Sequence, residues 1–297
     1  MSLVYSILSL LFQILDSFAF IILAAVGLVI IYGVMGIINL AHGEFILVGA
    51  YATALAYGVG IPLIAAMGVG VVATVGFGLF LERTVIKRLY GRLLDSMVAT
   101  WAIGLITIQS TRIVFGNQLG QIGTPLGDVQ YGPFSYSWYR ILLAFVSIAV
   151  LIGLYVTLTR TRYGIKVRAT MNDPDTAEAM GIDTRRIRFL TFGLGSGLAG
   201  LTGALYAPTL VLTPEIGSNF LIEAFVAVVV GGSSFVAGTS LSGILLGVIH
   251  GFFSHTFSNF AGQMALLVTS IVAIRLMPDG ITGRLESWRQ KRREDSS

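Results

Sequence analysis

The chain has 297 residues, of which 55% are hydrophobic and 11% charged, with a net charge of +4, a mean hydropathy of +0.84 and no cysteine. A soluble domain carries about 25% charged residues; this chain has too little polar surface to cover itself in water, which excludes a soluble globular enzyme, disorder and a coiled coil. Without cysteine there is no disulfide framework, thiol nucleophile or thiolate metal site, so an all-α, polytopic helical membrane protein remains.

The elements follow from apolar runs, because a spanning helix needs about 20 mostly apolar residues. Leu3–Leu15 is apolar and reads as an interfacial helix or a short span; Asp16 interrupts it, and Phe18–Ile38 is long enough to cross. His42–Gly58 and Pro62–Leu81 follow, then a basic block of Arg83, Lys87, Arg88 and Arg92. Ser96–Phe115 spans again. Gly116–Trp138 is polar, bears Gly and Pro, contains no Lys or Arg, and reads as an external loop. Ile141–Leu158 leads back to a second basic block within Arg160–Arg188, and a third holds Arg284, Arg289, Lys291, Arg292 and Arg293.

Sixteen of the 19 Lys and Arg lie in these three blocks, and none precedes Arg83. That is the distribution of cytoplasmic loops under the positive-inside rule, so a loop at 160–188 and a tail at 284–297 are expected inside. The basic balance does not point to nucleic acid, which would need aromatic residues interleaved with the charges on a soluble domain. With the second and third blocks both inside, an even number of crossings separates them. The candidates are Phe189–Leu210, Phe220–Val230, Gly238–Phe253 and Phe260–Met277, for about eight spans in all. Phe220–Val230 is too short for a regular crossing and runs into Gly231-Gly232-Ser233-Ser234. This reads as a broken or re-entrant helix, tolerated at membrane depth where protein or a water-filled cavity satisfies the backbone. Gly243, Gly247 and Gly251 recur every four residues, and Gly193, Gly197, Gly200 and Gly203 form a second set; both are faces for close helix approach.

Polar residues inside spans are costly and mark candidate function. Asn39, His42 and Glu44 fall where the first long span turns into the next. His42 and Glu44 are about 200° apart around a helix and cannot act on one face. Glu44 suits a first helical turn facing the positive dipole end. Glu223 is the other acidic candidate, in the short segment before the glycine break. Arg112 and Arg275 sit near span ends and are expected to snorkel. The three histidines have no ligand spacing, so no metal site is expected, and no nucleophile–base or paired-aspartate arrangement suggests an enzyme. None of the three lysines lies in a phosphate-cradling Gly-x-x-x-x-Gly-Lys loop, so this chain carries no cofactor and any ATP energy must come from a partner.

The second internal loop is the most informative soluble stretch. Asp173 can cap, Pro174 fits the first helical position, Asp175 and Glu178 complement the dipole, and Gly181 supplies a left-handed stop. The pattern predicts a two-turn helix, Pro174–Met180, followed by a fresh helix capped by Asp183. Such a helix on the inner face is shaped to dock into a partner's groove. A lipid-lying connector is the rival reading, disfavoured because anionic lipid repels Asp173, Asp175 and Glu178.

Four stretches carry a family resemblance: Tyr32-Gly-Val-Met-Gly-Ile-Ile-Asn-Leu-Ala-His-Gly-Glu44 with Gly49-Ala50-Tyr51; Tyr163-Gly164 through Arg168-Ala169 with Ala179-Met-Gly-Ile182; Ala224-Phe225 with Gly231-Gly232 and Gly238; and Met277-Pro-Asp-Gly280 with Gly283-Arg284. In these the chain resembles the permease subunits of bacterial ABC importers for branched-chain amino acids and related amides, the LivH type. The resemblance implies a multi-pass protein of the bacterial plasma (inner) membrane that pairs with a second, related permease. It also implies two cytoplasmic ATPase subunits, which bind the ATP and Mg²⁺, and a periplasmic or extracellular solute-binding protein. By the same resemblance Pro174, Asp175, Ala177, Glu178, Met180 and Gly181 form the coupling helix received by an ATPase.

Leu94–Gln109, with Ala99-Thr100-Trp101, looks more like the urea and short-chain amide permeases. Ser233 and Ser234 depart from the family's glycine-containing turn and suit a small neutral hydrogen-bonding solute. The candidate translocation path is therefore Asn39, Glu44, Trp101, Glu223, Ser233 and Ser234. The alternatives are an ATP-independent urea or amide channel, which has no use for a capped acidic helix, and a scaffold without a solvated pathway.

Overall fold

The computed structural model describes residues 2–232, 235–278 and 280–284. The helices in chain order are α1 Ser2–Met35, α2 His42–Gly58, α3 Leu63–Thr84 with a 3₁₀ turn at Ile86–Arg88, and α4 Leu93–Phe115. After strands β1 Asp128–Tyr131 and β2 Phe134–Ser137 come α5 Trp138–Arg160, α6 Arg162–Asn172, α7 Pro174–Ala179, α8 Thr184–Tyr206, α9 Ile216–Gly231, α10 Phe235–Thr256 and α11 Asn259–Leu276. Among the described residues, seven helices are long and apolar enough to cross a membrane. The architecture is the expected all-α polytopic one, with α2 and α9 shorter, at 17 and 16 residues.

The chain divides into two compact units, through both of which α1, α5 and α9 pass. In the unit of residues 26–124 and 152–222, α2, α3 and α8 pack on one another, and 12 of the 17 residues of α2 are buried. Two features explain this burial. Phe45 of α2 sets its ring edge-on to Phe77 of α3 and Phe192 of α8, with centroids 5.4 and 5.8 Å away. Small residues then let backbones touch: a Cβ on Gly49 would lie 2.5 Å from the Gly200 carbonyl oxygen, and one on Gly217 would lie 2.6 Å from that of Gly43. The second glycine set does form a packing face, with Gly193, Gly197 and Gly200 against Leu79, Val75 and Thr74 of α3. Lipid offers no hydrophobic drive between helices, so such contact is what holds them.

The other unit holds residues 1–25, 125–151 and 223–297. Here Gly243, Gly247 and Gly251 of α10 receive Ile22, Phe18 and Ile14 of α1, an antiparallel zipper at four-residue steps. Asp16 does not interrupt α1, which runs unbroken for 34 residues. Its carboxylate pairs with Arg140 at the start of α5, which removes the cost that a lone aspartate would impose on an apolar helix. Next to it, the Ser17 hydroxyl lies 2.9 Å from His250 Nδ1, which ties that histidine to α1.

The polar loop after α4 contains an unanticipated antiparallel hairpin, with Asp128 opposite Ser137 and Tyr131 opposite Phe134. Its two-residue Gly132-Pro133 connection puts glycine, at φ +57°, where a primed turn requires a positive φ. Tyr136 stacks on Phe12 of α1 at 4.6 Å and donates its hydroxyl to the Phe12 carbonyl at 2.9 Å. The N-terminal half of α1 therefore lies on the hairpin's side of this unit.

The glycine interruption of the second half is present, and its surroundings place it at the end of α11. Gly231 and Gly238 abut, and the Thr282 hydroxyl donates to the Gly231 carbonyl at 2.8 Å, which satisfies one orphan carbonyl at the end of α9. Ser233 and Ser234 lie outside the described residues. A second interruption lies in the first half between α1 and α2, at the expected turn between two spans but beginning three residues earlier, at Gly36.

Candidate functional site

Residues 36–41 join α1 to α2 without helical structure. Gly36, at φ +63°, stops α1, and the chain turns back into the bundle. Every backbone donor in such a segment needs a partner, because lipid supplies none. The Leu40 N–H donates to Thr100 Oγ1 at 3.0 Å, and the Ala41 N–H to Asn39 Oδ1 at 3.1 Å. The Thr100 hydroxyl donates in turn to the Ser96 carbonyl at 2.7 Å. Thr100 belongs to the second turn of α4, which sets the level of the break within this unit.

Two polar groups at this break remain unspent. Asn39 is fully buried and its amide Nδ2 has no hydrogen-bond partner among the described residues. Glu44, in the first turn of α2, is also buried, and its Oε2 likewise has none. Gly104 keeps the space beside that carboxylate open; a Cβ there would sit 3.3 Å from Oε2. His42 looks elsewhere, with its Cε1 beside Gly27 of α1, as its 200° separation from Glu44 requires. Folded proteins leave few buried polar atoms unpaired, so one unpaired donor and one unpaired acceptor beside the unwound segment stand out as candidates for function.

Of the predicted path residues, the structure brings Asn39 and Glu44 to this break. Trp101 follows Thr100 in α4 but is 59% exposed, off the buried stripe of Ser96, Thr100 and Gly104. Glu223 is buried in α9, with Oε2 unpartnered among the described residues, and is assigned to the other unit. Thr100, noted above only within the Ala99-Thr100-Trp101 stretch, and Gly104 were not among the predicted path residues. Their signal is the four-residue spacing of small and hydroxyl residues along an otherwise bulky helix. Arg112 does more than snorkel: it pairs with Glu215 ahead of α9.

The 160–188 segment forms a second candidate site. It contains α6 as well as the anticipated short helix. Thr161 caps α6 by accepting the Gly164 N–H at 3.0 Å, and the Arg168 guanidinium donates to the Leu158 carbonyl near the end of α5. At α7, Asp173 accepts the N–H groups of Asp175 and Thr176 at 3.0 and 3.1 Å. Hydrogen bonds from Thr176, its side chain foremost, hold the Asp173 carboxyl below its ordinary range. Pro174 occupies the first turn, and Gly181 at φ +83° ends the motif. Asp183 then caps α8 through the Arg186 N–H at 2.8 Å. Within α7 only Ala177 is buried; Asp175, Glu178 and Ala179 are exposed, and Met180 just beyond is 77% exposed.

A bundle of apolar helices with a buried polar break, and a capped helical arm outside the spans, defines a transport subunit of the permease class embedded in the bacterial inner membrane. Residues 10–277 match the family described as the permease component of branched-chain amino acid transport systems, and the chain belongs to that family. It is 30% identical to the high-affinity branched-chain amino acid transport system permease protein BraD of Pseudomonas aeruginosa, over 89% of this chain and 92% of that one. It is 27% identical to the probable LivH of Methanocaldococcus jannaschii, over 92% and 90%, and to the LivH of Escherichia coli K12, over 89% and 91%. Among solved structures, PsaBC from Streptococcus pneumoniae in complex with Fab aligns with a TM-score of 0.50 at 16% identity, covering 93% of this chain and 94% of that one, a likeness of fold alone.

Proposed function

We propose that this chain supplies half of the translocation path of an ATP-driven importer and is worked by ATPase subunits that grip α7. The construction of that arm carries the reading. An isolated six-residue helix is unstable in water, yet this one is fixed by an N-cap, an N-terminal proline and a left-handed glycine stop. It presents Asp175, Glu178, Ala179 and the apolar Met180 to solvent, a small face suited to a partner's groove. The partners are a second related permease, two ATPases that bind ATP and Mg²⁺, and an external solute-binding protein.

The solute is a branched-chain amino acid or a small amide such as acetamide or urea. The relatives' names favour the first, while the Leu94–Gln109 stretch favours the second. Asn39 Nδ2 and Glu44 Oε2 offer one donor and one acceptor, which both classes can use. The N-terminus lies outside: the N-terminal half of α1 lies beside the Lys- and Arg-free loop, and three helices precede the first basic block.

The test is radiolabelled uptake of leucine, acetamide and urea by the complex reconstituted with its ATPases and binding protein. ATP-dependent uptake is expected, and Glu178→Lys abolishes it without lowering membrane abundance. Full uptake by the permeases alone would point instead to a channel.

A further inference from the structure

The end of α3 and the start of α8 enclose a cleft of about 330 Å³ lined by Glu82, Arg83, Lys87, Asp183, Arg185, Arg186 and Phe189. Four of these side chains are cationic. None of the four has a carboxylate within salt-bridge distance among the described residues, where the pairs are Arg92–Asp95, Arg112–Glu215 and Arg140–Asp16. The two acids in the cleft are otherwise engaged. Glu82 is buried and accepts the Tyr90 hydroxyl at 2.7 Å, and Asp183 caps α8 through the Arg186 N–H. Four cations share the cleft with two carboxylates, which leaves it two positive charges in excess, and an anion bound there offsets them.

The surroundings identify how that anion is presented. Phe80, 63% exposed, precedes Arg83 by three residues on α3, and Leu190, 45% exposed, follows Arg186 by four on α8. At helical spacing each lies on the same face as its arginine and toward the membrane interior. The cleft thus lies at the boundary between the basic inner surface and apolar, lipid-facing flanks. Basic pockets between helices at that level bind anionic headgroups.

We infer that this cleft holds the phosphate of an anionic phospholipid of the inner leaflet, bridging Arg83 and Lys87 of the α3 end to Arg185 and Arg186 of α8, with acyl chains along Phe80 and Leu190. The inference rests on the inside placement of the basic blocks. Because α8 begins directly after the α7 arm, the lipid braces the base of that arm against α3.

The full complex in nanodiscs of mixed phosphatidylglycerol and phosphatidylethanolamine, read by native mass spectrometry, tests it. The wild type is expected to retain phosphatidylglycerol in preference to phosphatidylethanolamine. Each charge removed should weaken retention about fivefold, so Arg83→Gln with Arg186→Gln should weaken it about 25-fold. Arg83→Lys with Arg186→Lys should retain the lipid, as should the equally charge-reduced control Arg160→Gln with Arg162→Gln, which separates lost binding from lost folding. No headgroup preference in the wild type, or undiminished retention by the Gln pair, overturns the site. Displacement of the lipid by millimolar glycerol 3-phosphate overturns the lipid source in favour of a soluble phosphate ester; retention under the same conditions supports the headgroup.

Discussion

Replacing Gly49 by alanine adds a single methyl group at the crossing of α2 and α8, where its Cβ would fall 2.5 Å from the Gly200 carbonyl oxygen and 2.7 Å from the Gly200 Cα. Carbon atoms in contact settle at about 3.5–4.0 Å, so the two helices must part by about 1 Å. The obstacle is backbone and cannot rotate away. Nor can α2 retreat freely, since most of its residues are buried and Gly43 already meets Gly217. Overpacking of this kind costs about 1–3 kcal/mol, and alanine's better helix propensity returns about 0.5–1, leaving a net loss of about 1 kcal/mol. Gly76→Ala on α3 is the matched control: nothing lies within 4 Å of its Cβ, so stability should hold or rise by up to about 1 kcal/mol. Unfolding of both variants by graded SDS in mixed micelles, with melting of the assembled complex, reads the difference. Uptake should fall in Gly49→Ala too, because Glu44 rides on the displaced helix. Equal unfolding of Gly49→Ala and wild type would show that α2 and α8 do not touch here and would remove the argument that places Glu44.

Three further outcomes are expected. Arg140→Leu strands the Asp16 carboxylate in α1 and should cost about 1–3 kcal/mol, with Asp16→Leu in the same chain recovering part of it; strict additivity in that double-mutant cycle would dismiss the pair. Asp173 is held below the ordinary aspartate value of 3.8, so its cap is at full strength above that value. The cap is lost only as pH falls through the still lower folded-state value, and the protection of the amides of residues 175–179, measured against their intrinsic exchange rates, should hold down to about pH 4 and decline below it. The chain has no cysteine, so single cysteines report topology directly. Val4→Cys should label with an impermeant maleimide from outside, and Thr176→Cys only after permeabilisation; the reverse pattern would invert the orientation.

Much of the candidate site was legible because its signals are local. The α7 motif is written within eleven consecutive residues, Asp173 to Asp183, where cap, proline and glycine act on neighbouring backbone. The three-glycine face of α10 was legible from spacing alone, though not that Ile14, Phe18 and Ile22 would fill it. Asp16 misled for the opposite reason. A charge in an apolar run signals a break unless a cation reaches it, and Arg140 lies 124 residues away. The hairpin at Asp128–Ser137 escaped notice although Val129, Tyr131, Phe134 and Tyr136 alternate with polar residues, because each strand is only four residues long and its support comes from Phe12 of α1, far away in the chain.

Composition and charge spacing determined by themselves that this is a helical membrane protein, which connecting segments gather the lysines and arginines, and where a short capped helix lies between two spans. Those properties are sums over neighbouring residues: transfer free energies, the clustering of lysine and arginine, and capping within one turn. Only the tertiary structure decided that Thr100 supports the break at 36–41 across 60 residues, and that Asn39 and Glu44 keep a polar atom unspent. Whether a buried polar atom is free depends on what the fold sets beside it, and no local pattern along the chain records that.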